Sequence, residues 1–121
     1  MLKKILIIED EKALVKNLEL ALSDSYKIIT ADTGKEGLKK AKKEKPDLIL
    51  LDVMLPDTTG FEILPELKKD KVLELIPVIV LTNLGDAQTV SNILAAGGKE
   101  YLIKSDWSID EIVKKIKNTL S

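Results

Sequence analysis

Five short apolar runs recur along the chain, at Ile5–Ile8, Lys27–Ala31, Leu48–Leu51, Val78–Leu81 and Tyr101–Ile103. Three of them are continuous rather than alternating, which is the pattern of strands covered on both faces, as in a parallel sheet. The segments between them carry helical periodicity. Leu14, Leu18, Ala21 and Leu22 make one apolar stripe; Val90, Ile93, Leu94 and Gly97 make another; Ile109, Ile112, Val113, Ile116 and Leu120 make the cleanest. The second helix is the weakest, with only Leu38 and Ala41 plainly apolar, and the third is expected to hold Pro65 within its first turns. Thr33 with Glu36, and Ser108 with Glu111, have capping-box spacing, and Trp107 is placed to staple onto Ile112. Lys45–Pro46–Asp47 ends the second helix. Strand and helix alternating five times predict an α/β fold: a (βα)5 doubly wound parallel five-stranded sheet with helices on both faces.

A chain of 121 residues fits one domain with a real core. It shows no repeat, low-complexity stretch or linker, so residues 1–121 are expected to form a single domain, with no second, output domain in this chain. All nineteen basic residues are Lys, and against twenty acids they leave a net charge of -1, so no global field favours nucleic acid or an anionic membrane. The absence of Cys removes disulfides and thiolate chemistry, and the absence of His removes the commonest general base and transition-metal ligand. No apolar run approaches a membrane span, and the opening "MLKKILII" runs straight into acids without a cleavage site, which reads as a buried first strand in a cytoplasmic protein.

Against this frame the stretch "LILLDVMLPDTTG" stands out, because an apolar strand ends in a carboxylate, Asp52. Glu9 and Asp10 follow the first strand, Thr82 ends the fourth and Lys104 the fifth. All belong to carboxyl ends of strands, where open α/β sheets place their ligands. Three carboxylates gathered there repel one another unless a cation sits among them, and an oxygen-only set favours a hard divalent ion, Mg²⁺. A divalent ion and an ammonium around Asp52 suit a phosphoryl group carried on it as an acyl phosphate, with the Thr82 hydroxyl donating to a further oxygen.

The segments "IIEDE" (7–11), "DLILLDVMLPDTTGFE" (47–62), "IPVIVLT" (76–82) and "EYLIKS" (100–105), in this order and spacing, resemble the receiver domain of two-component response regulators, a CheY-like, flavodoxin-like family. The resemblance covers essentially the whole chain. It implies Asp52 as phospho-acceptor, Asp10 as a direct Mg²⁺ ligand, Glu9 as a ligand through water, and the Met54 backbone carbonyl as a further ligand. It implies Thr82 as the switch hydroxyl, Lys104 as the phosphate-pairing cation and Tyr101 as the aromatic that swings inward on activation. The implied donor is the phosphohistidine of a histidine kinase or histidine phosphotransfer protein. The implied output is a downstream protein docking on the face of the fourth helix, fifth strand and fifth helix, from a monomer or weak dimer without direct nucleic-acid or membrane contact.

Three departures from the family pattern matter. Ser105 stands where the family carries Pro, so a trans Lys104–Ser105 bond is expected. Asn83 replaces a very small residue after Thr82. Met54 and Leu84, two residues beyond Asp52 and Thr82, are apolar and cannot orient an attacking water, which predicts a long-lived phosphoaspartate. Met54 also argues against a phosphatase with an Asp nucleophile, since such enzymes need a second Asp at that position. The remaining alternative is a degenerate receiver, a phosphorylation-independent interaction module, and the complete set of five polar residues weighs against it.

Overall fold

The computed structural model describes residues 2–121. Five strands alternate with five helices: β1 (Lys4–Ile8), α1 (Lys12–Leu22), β2 (Lys27–Ala31), α2 (Gly34–Glu44), β3 (Leu48–Leu51), α3 (Gly60–Lys69), β4 (Val78–Thr82), α4 (Ala87–Ala95), β5 (Glu100–Ile103) and α5 (Ile109–Leu120). The strands form one parallel sheet in the order β2-β1-β3-β4-β5. In that order the chain reverses direction across the sheet between β1 and β3, which opens a crevice at their carboxyl ends.

The continuous apolar runs reflect a sheet covered on both faces. Ile5, Ile7, Leu48, Leu50, Ile79 and Leu81 point to the α1 and α5 side, where Leu18, Leu22, Ile112 and Ile116 meet them. Leu6, Ile8, Ile49, Leu51, Val78 and Val80 point to the other side, against Ala41, Ile63, Leu64, Leu67 and Ile93 from α2, α3 and α4. Successive strand residues face opposite layers, so neither face has a polar half.

The helix expectations hold with local corrections. Ala21 is exposed and Val15 packs in its place, because α1 presents a narrower stripe to the sheet than the sequence pattern offers. In α4, Leu94 is 45% exposed, and Gly97 lies beyond the helix end with φ 111. The faint signal of α2 has a physical cause: its buried face is built from Gly34, Gly37 and Ala41. A Cβ on Gly37 would lie 2.6 Å from Ile8 Cδ1 and 2.9 Å from Ile8 Cγ2, so glycine there lets the helix close onto β1.

The caps follow the chemistry of their residues. Ser108 and Glu111 form a complete capping box, whereas Thr33 accepts from Glu36 N–H without the return bond. Trp107 packs in the same cluster as Ile112. α2 stops at Lys45, which adopts the left-handed conformation at φ 48 just before Pro46. Pro65 lies within the first two turns of α3, as expected, at the sixth of its ten residues. It and Phe61, whose carbonyl loses its partner, are both exposed, so the missing bond falls on the outer side of the helix. No helix is long and apolar enough to cross a membrane among the described residues.

Candidate functional site: an acidic crevice closed by one lysine

Sheet register brings the acids together. Ile8 pairs with Leu51, and Asp52 N–H donates to the Ile8 carbonyl at 3.0 Å, which places Glu9 beside Asp52 where the two strands end. Carboxylate oxygens of Glu9, Asp10 and Asp52 lie within 4.8 Å of one another. Glu9 and Asp52 are each only 5% exposed, while Asp10 faces solvent.

Lys104 reaches this cluster from the far side. Its ammonium lies 2.7 Å from Glu9 Oε1, 3.1 Å from Asp52 Oδ2 and 3.1 Å from Glu11 Oε2. Each acid has a second hold. Met54 N–H donates to Asp52 Oδ1 at 3.1 Å, and Glu11 N–H donates to Glu9 Oε2 at 3.1 Å. Both carboxylates are therefore aimed by backbone as well as by the ammonium. Burial pushes the Glu9 carboxyl up to about 7, against the opposing pull of Lys104 and of Glu11 N–H. Burial alone would depress the Lys104 ammonium, but its bonds to Glu9 and Asp52 outweigh that and raise it above its ordinary range.

Thr82 ends β4 fully buried, and its Oγ1 has no hydrogen-bond partner. A buried hydroxyl left unpaired is costly and calls for a ligand atom or a movement that satisfies it. Tyr101 is half-buried against the α2–α3–α4 side of the core, and its hydroxyl donates to the Leu84 carbonyl. Burial raises its phenol pKa, with the Asp86 and Asp52 charges adding to the effect. Met54 and Asn83 are exposed and Leu84 is half-buried around the same rim. No peptide bond among the described residues is cis, so Lys104–Ser105 is trans as expected, and the Lys104–Asp106 turn still delivers the ammonium to Asp52.

The sequence reasoning missed two acids. Glu11 stands at the N-cap of α1 but makes no side-chain cap bond; its carboxylate goes instead to Lys104, 93 residues away. A Glu where Ser, Thr, Asp or Asn is preferred was the only local sign of this. Asp57 accepts from Gly34 N–H at 2.8 Å and Lys35 N–H at 3.0 Å, tying the loop after β3 to the start of α2. Those two bonds hold its carboxyl below the usual range. No spacing rule links residues so far apart in sequence.

Comparisons with known proteins give the family and the fold. The family profile described as "Response regulator receiver domain" matches residues 5–117. The alkaline phosphatase synthesis transcriptional regulatory protein PhoP of Bacillus subtilis is 40% identical over 99% of this chain and 49% of its own length. The chain thus spans about half the length of the curated relatives it matches. The structure of a CheY-like response regulator receiver domain protein from Methanospirillum hungatei superposes with a TM-score of 0.90 at 30% identity, covering 99% of this chain and 94% of that one. The phosphorylated cyanobacterial phytochrome response regulator RcpA superposes with a TM-score of 0.83 at 28% identity, covering 98% of this chain and 91% of that one. Matches that cover nearly all of this chain, in both sequence and fold, leave one conclusion: the chain belongs to the family of response regulator receiver domains.

Proposed function

We propose that Asp52 is the phospho-acceptor of a two-component phosphorelay and that this chain is a phosphorylation-driven binding switch. The observation that carries the reading is the shared ammonium of Lys104, 3.1 Å from Asp52 and 2.7 Å from Glu9 at the switch point of the sheet. In the step, an Asp52 carboxylate oxygen forms the new bond to phosphorus while the bond from phosphorus to the donor's imidazole nitrogen breaks. The donor histidine leaves as neutral imidazole after taking up a proton. Lys104 neutralises one phosphoryl oxygen, and the unpartnered Thr82 hydroxyl is available to donate to another.

The donor set fits Mg²⁺. Glu9, Glu11 and Asp52 share a single ammonium and Asp10 lies beside Glu9 and Asp52, which leaves an excess of negative charge for a hard divalent cation to balance. Asp10, Asp52 and the Met54 carbonyl would hold it directly. Glu9, beside them in the cluster, would hold it through water. When bound, the ion supplies charge neutralisation for the phosphoryl oxygens.

Phosphorylation would draw the Thr82 hydroxyl toward the phosphoryl group and release Tyr101 from the Leu84 carbonyl. That remodels the face of α4, β5 and α5, where a downstream protein docks. The partners are a histidine kinase or histidine phosphotransfer protein upstream and this docking protein downstream, in the cytoplasm, with the receiver a monomer or weak dimer. PhoP is named as a transcriptional regulator. We assign nucleic-acid contact in such relatives to the half of their length that this chain does not match. The apolar Met54 and Leu84 at the rim give a switch that resets slowly rather than an enzyme that turns over.

Transfer from a phosphorylated histidine kinase tests the reading. Label is expected on the wild-type chain and absent from Asp52→Asn; label that persists on Asp52→Asn contradicts it.

A further inference from the structure

The Lys104 ammonium has three carboxylates around it: it donates hydrogen bonds to Asp52 and Glu11, each at 3.1 Å, and pairs with Glu9 at 2.7 Å. The three partners are not equivalent. The Glu9 and Asp52 side chains are 4% and 6% exposed, whereas that of Glu11 is 55% exposed. Glu9 and Asp52 are also fixed by backbone N–H groups, while the Glu11 carboxylate has no hydrogen-bond partner besides Lys104 among the described residues. A phosphoryl oxygen arriving from solvent competes with these three carboxylates for the ammonium. Releasing Glu9 or Asp52 would strand a buried charge, at a large cost. Releasing Glu11 returns an exposed carboxylate to water, at little cost.

We infer that Glu11 is a placeholder for the phosphoryl group: its carboxylate occupies the outward bond of Lys104 until a tetrahedral anion displaces it. The inference rests on the function proposed above and adds a residue that sets how readily the site is loaded. Glu11 is a positioning residue in this account, since it acts through Lys104 and not on the transferring atoms. It keeps the lysine aimed at the crevice in the resting state and competes with the phosphoryl oxygen for it. Its position at the N-cap of α1 without a capping bond is consistent with this use of its side chain.

The test is calorimetric titration of the full chain with beryllium fluoride, a tetrahedral mimic of an aspartyl phosphate, at saturating Mg²⁺. Three proteins are compared: wild type, Glu11→Gln and Glu11→Asp. Aspartate keeps the charge but withdraws the carboxylate by one methylene, so it separates contact with Lys104 from a general field. Both variants are expected to bind about threefold to fivefold more tightly than wild type, the range set by an ion pair with one exposed partner. The gain should shrink as salt is added. Tightening in Glu11→Gln alone would mean that only the field of Glu11 matters, and no change in either variant would mean that it does not compete; each result overturns the inference. Failure of wild type and variants alike to bind removes the proposed function with it, which distinguishes that outcome from failure of the placeholder role.

Discussion

Lys104 Nζ lies 3.1 Å from Asp52 Oδ2, joining residues 52 positions apart at the carboxyl ends of β3 and β5. The same ammonium holds Glu9 at 2.7 Å, so one cation neutralises two buried carboxylates. Lys104→Met removes that cation and leaves both acids without it in a poorly solvated crevice. The variant should be destabilised by about 3 kcal/mol near neutral pH in urea unfolding. The deficit should shrink on acidification, since a protonated Glu9 no longer needs the partner. An unchanged midpoint would mean that the crevice is more open to water than its burial indicates.

Glu9 itself makes stability depend on pH in an unusual direction for an acid. Its native value of about 7 lies above the ordinary glutamate value of 4.5, so the folded chain binds more protons than the unfolded one between those limits. Stability from this group is full below pH 4.5 and falls as pH rises through 7, by about 3 kcal/mol in all. The carboxyls of Asp57, Asp70 and Asp86 are held low, chiefly by hydrogen bonds at helix and turn starts, and act oppositely, losing their contribution as pH falls below 3.8. Urea midpoints should therefore decline from mildly acid to neutral pH, and Glu9→Gln should flatten that decline. A wild-type profile that rises toward neutrality would count against a buried, proton-holding Glu9.

The strands, the acid cluster and Lys104 were legible in the sequence because each is a local pattern: an apolar run, and a polar residue at its carboxyl end. Glu11 and Asp57 were not, since their partners lie 93 and 22–23 residues away and nothing in the residues beside them announces the contact. α2 was faint for a related reason. Helical periodicity is read from large apolar side chains, and this helix packs through Gly34 and Gly37, where the apolar surface belongs to Ile63 and Ile8 on the other side of the contact.

Gly37 yields a prediction that opposes helix propensity. Ala in place of Gly within a helix ordinarily gains up to about 1 kcal/mol. Here the new Cβ would meet three carbons of Ile8 within 2.9 Å, including the branched Cγ2 that cannot swing away without moving the rotamer. Gly37→Ala should lose about 1–3 kcal/mol, measured by urea or thermal unfolding. A stabilised variant would show that α2 is free to lift off β1.

Met54 and Leu84 flank the rim without a polar atom to hold an attacking water. Once loaded, the phosphoaspartate should persist for minutes to hours in buffer with Mg²⁺. Met54→Glu, which adds a group able to position water and accept its proton, should shorten that lifetime by about tenfold or more. A wild-type lifetime of seconds, followed by phosphate release, would show that another group orients the water.

Intact-mass measurement after incubation with a small acyl phosphate tests whether Asp52 takes a phosphoryl group with the help of a divalent metal. One phosphoryl group per chain is predicted in the presence of Mg²⁺, with none after chelation and none on Asp52→Asn. Unmodified wild-type protein at saturating donor and Mg²⁺, or equal loading of Asp52→Asn, would contradict the account.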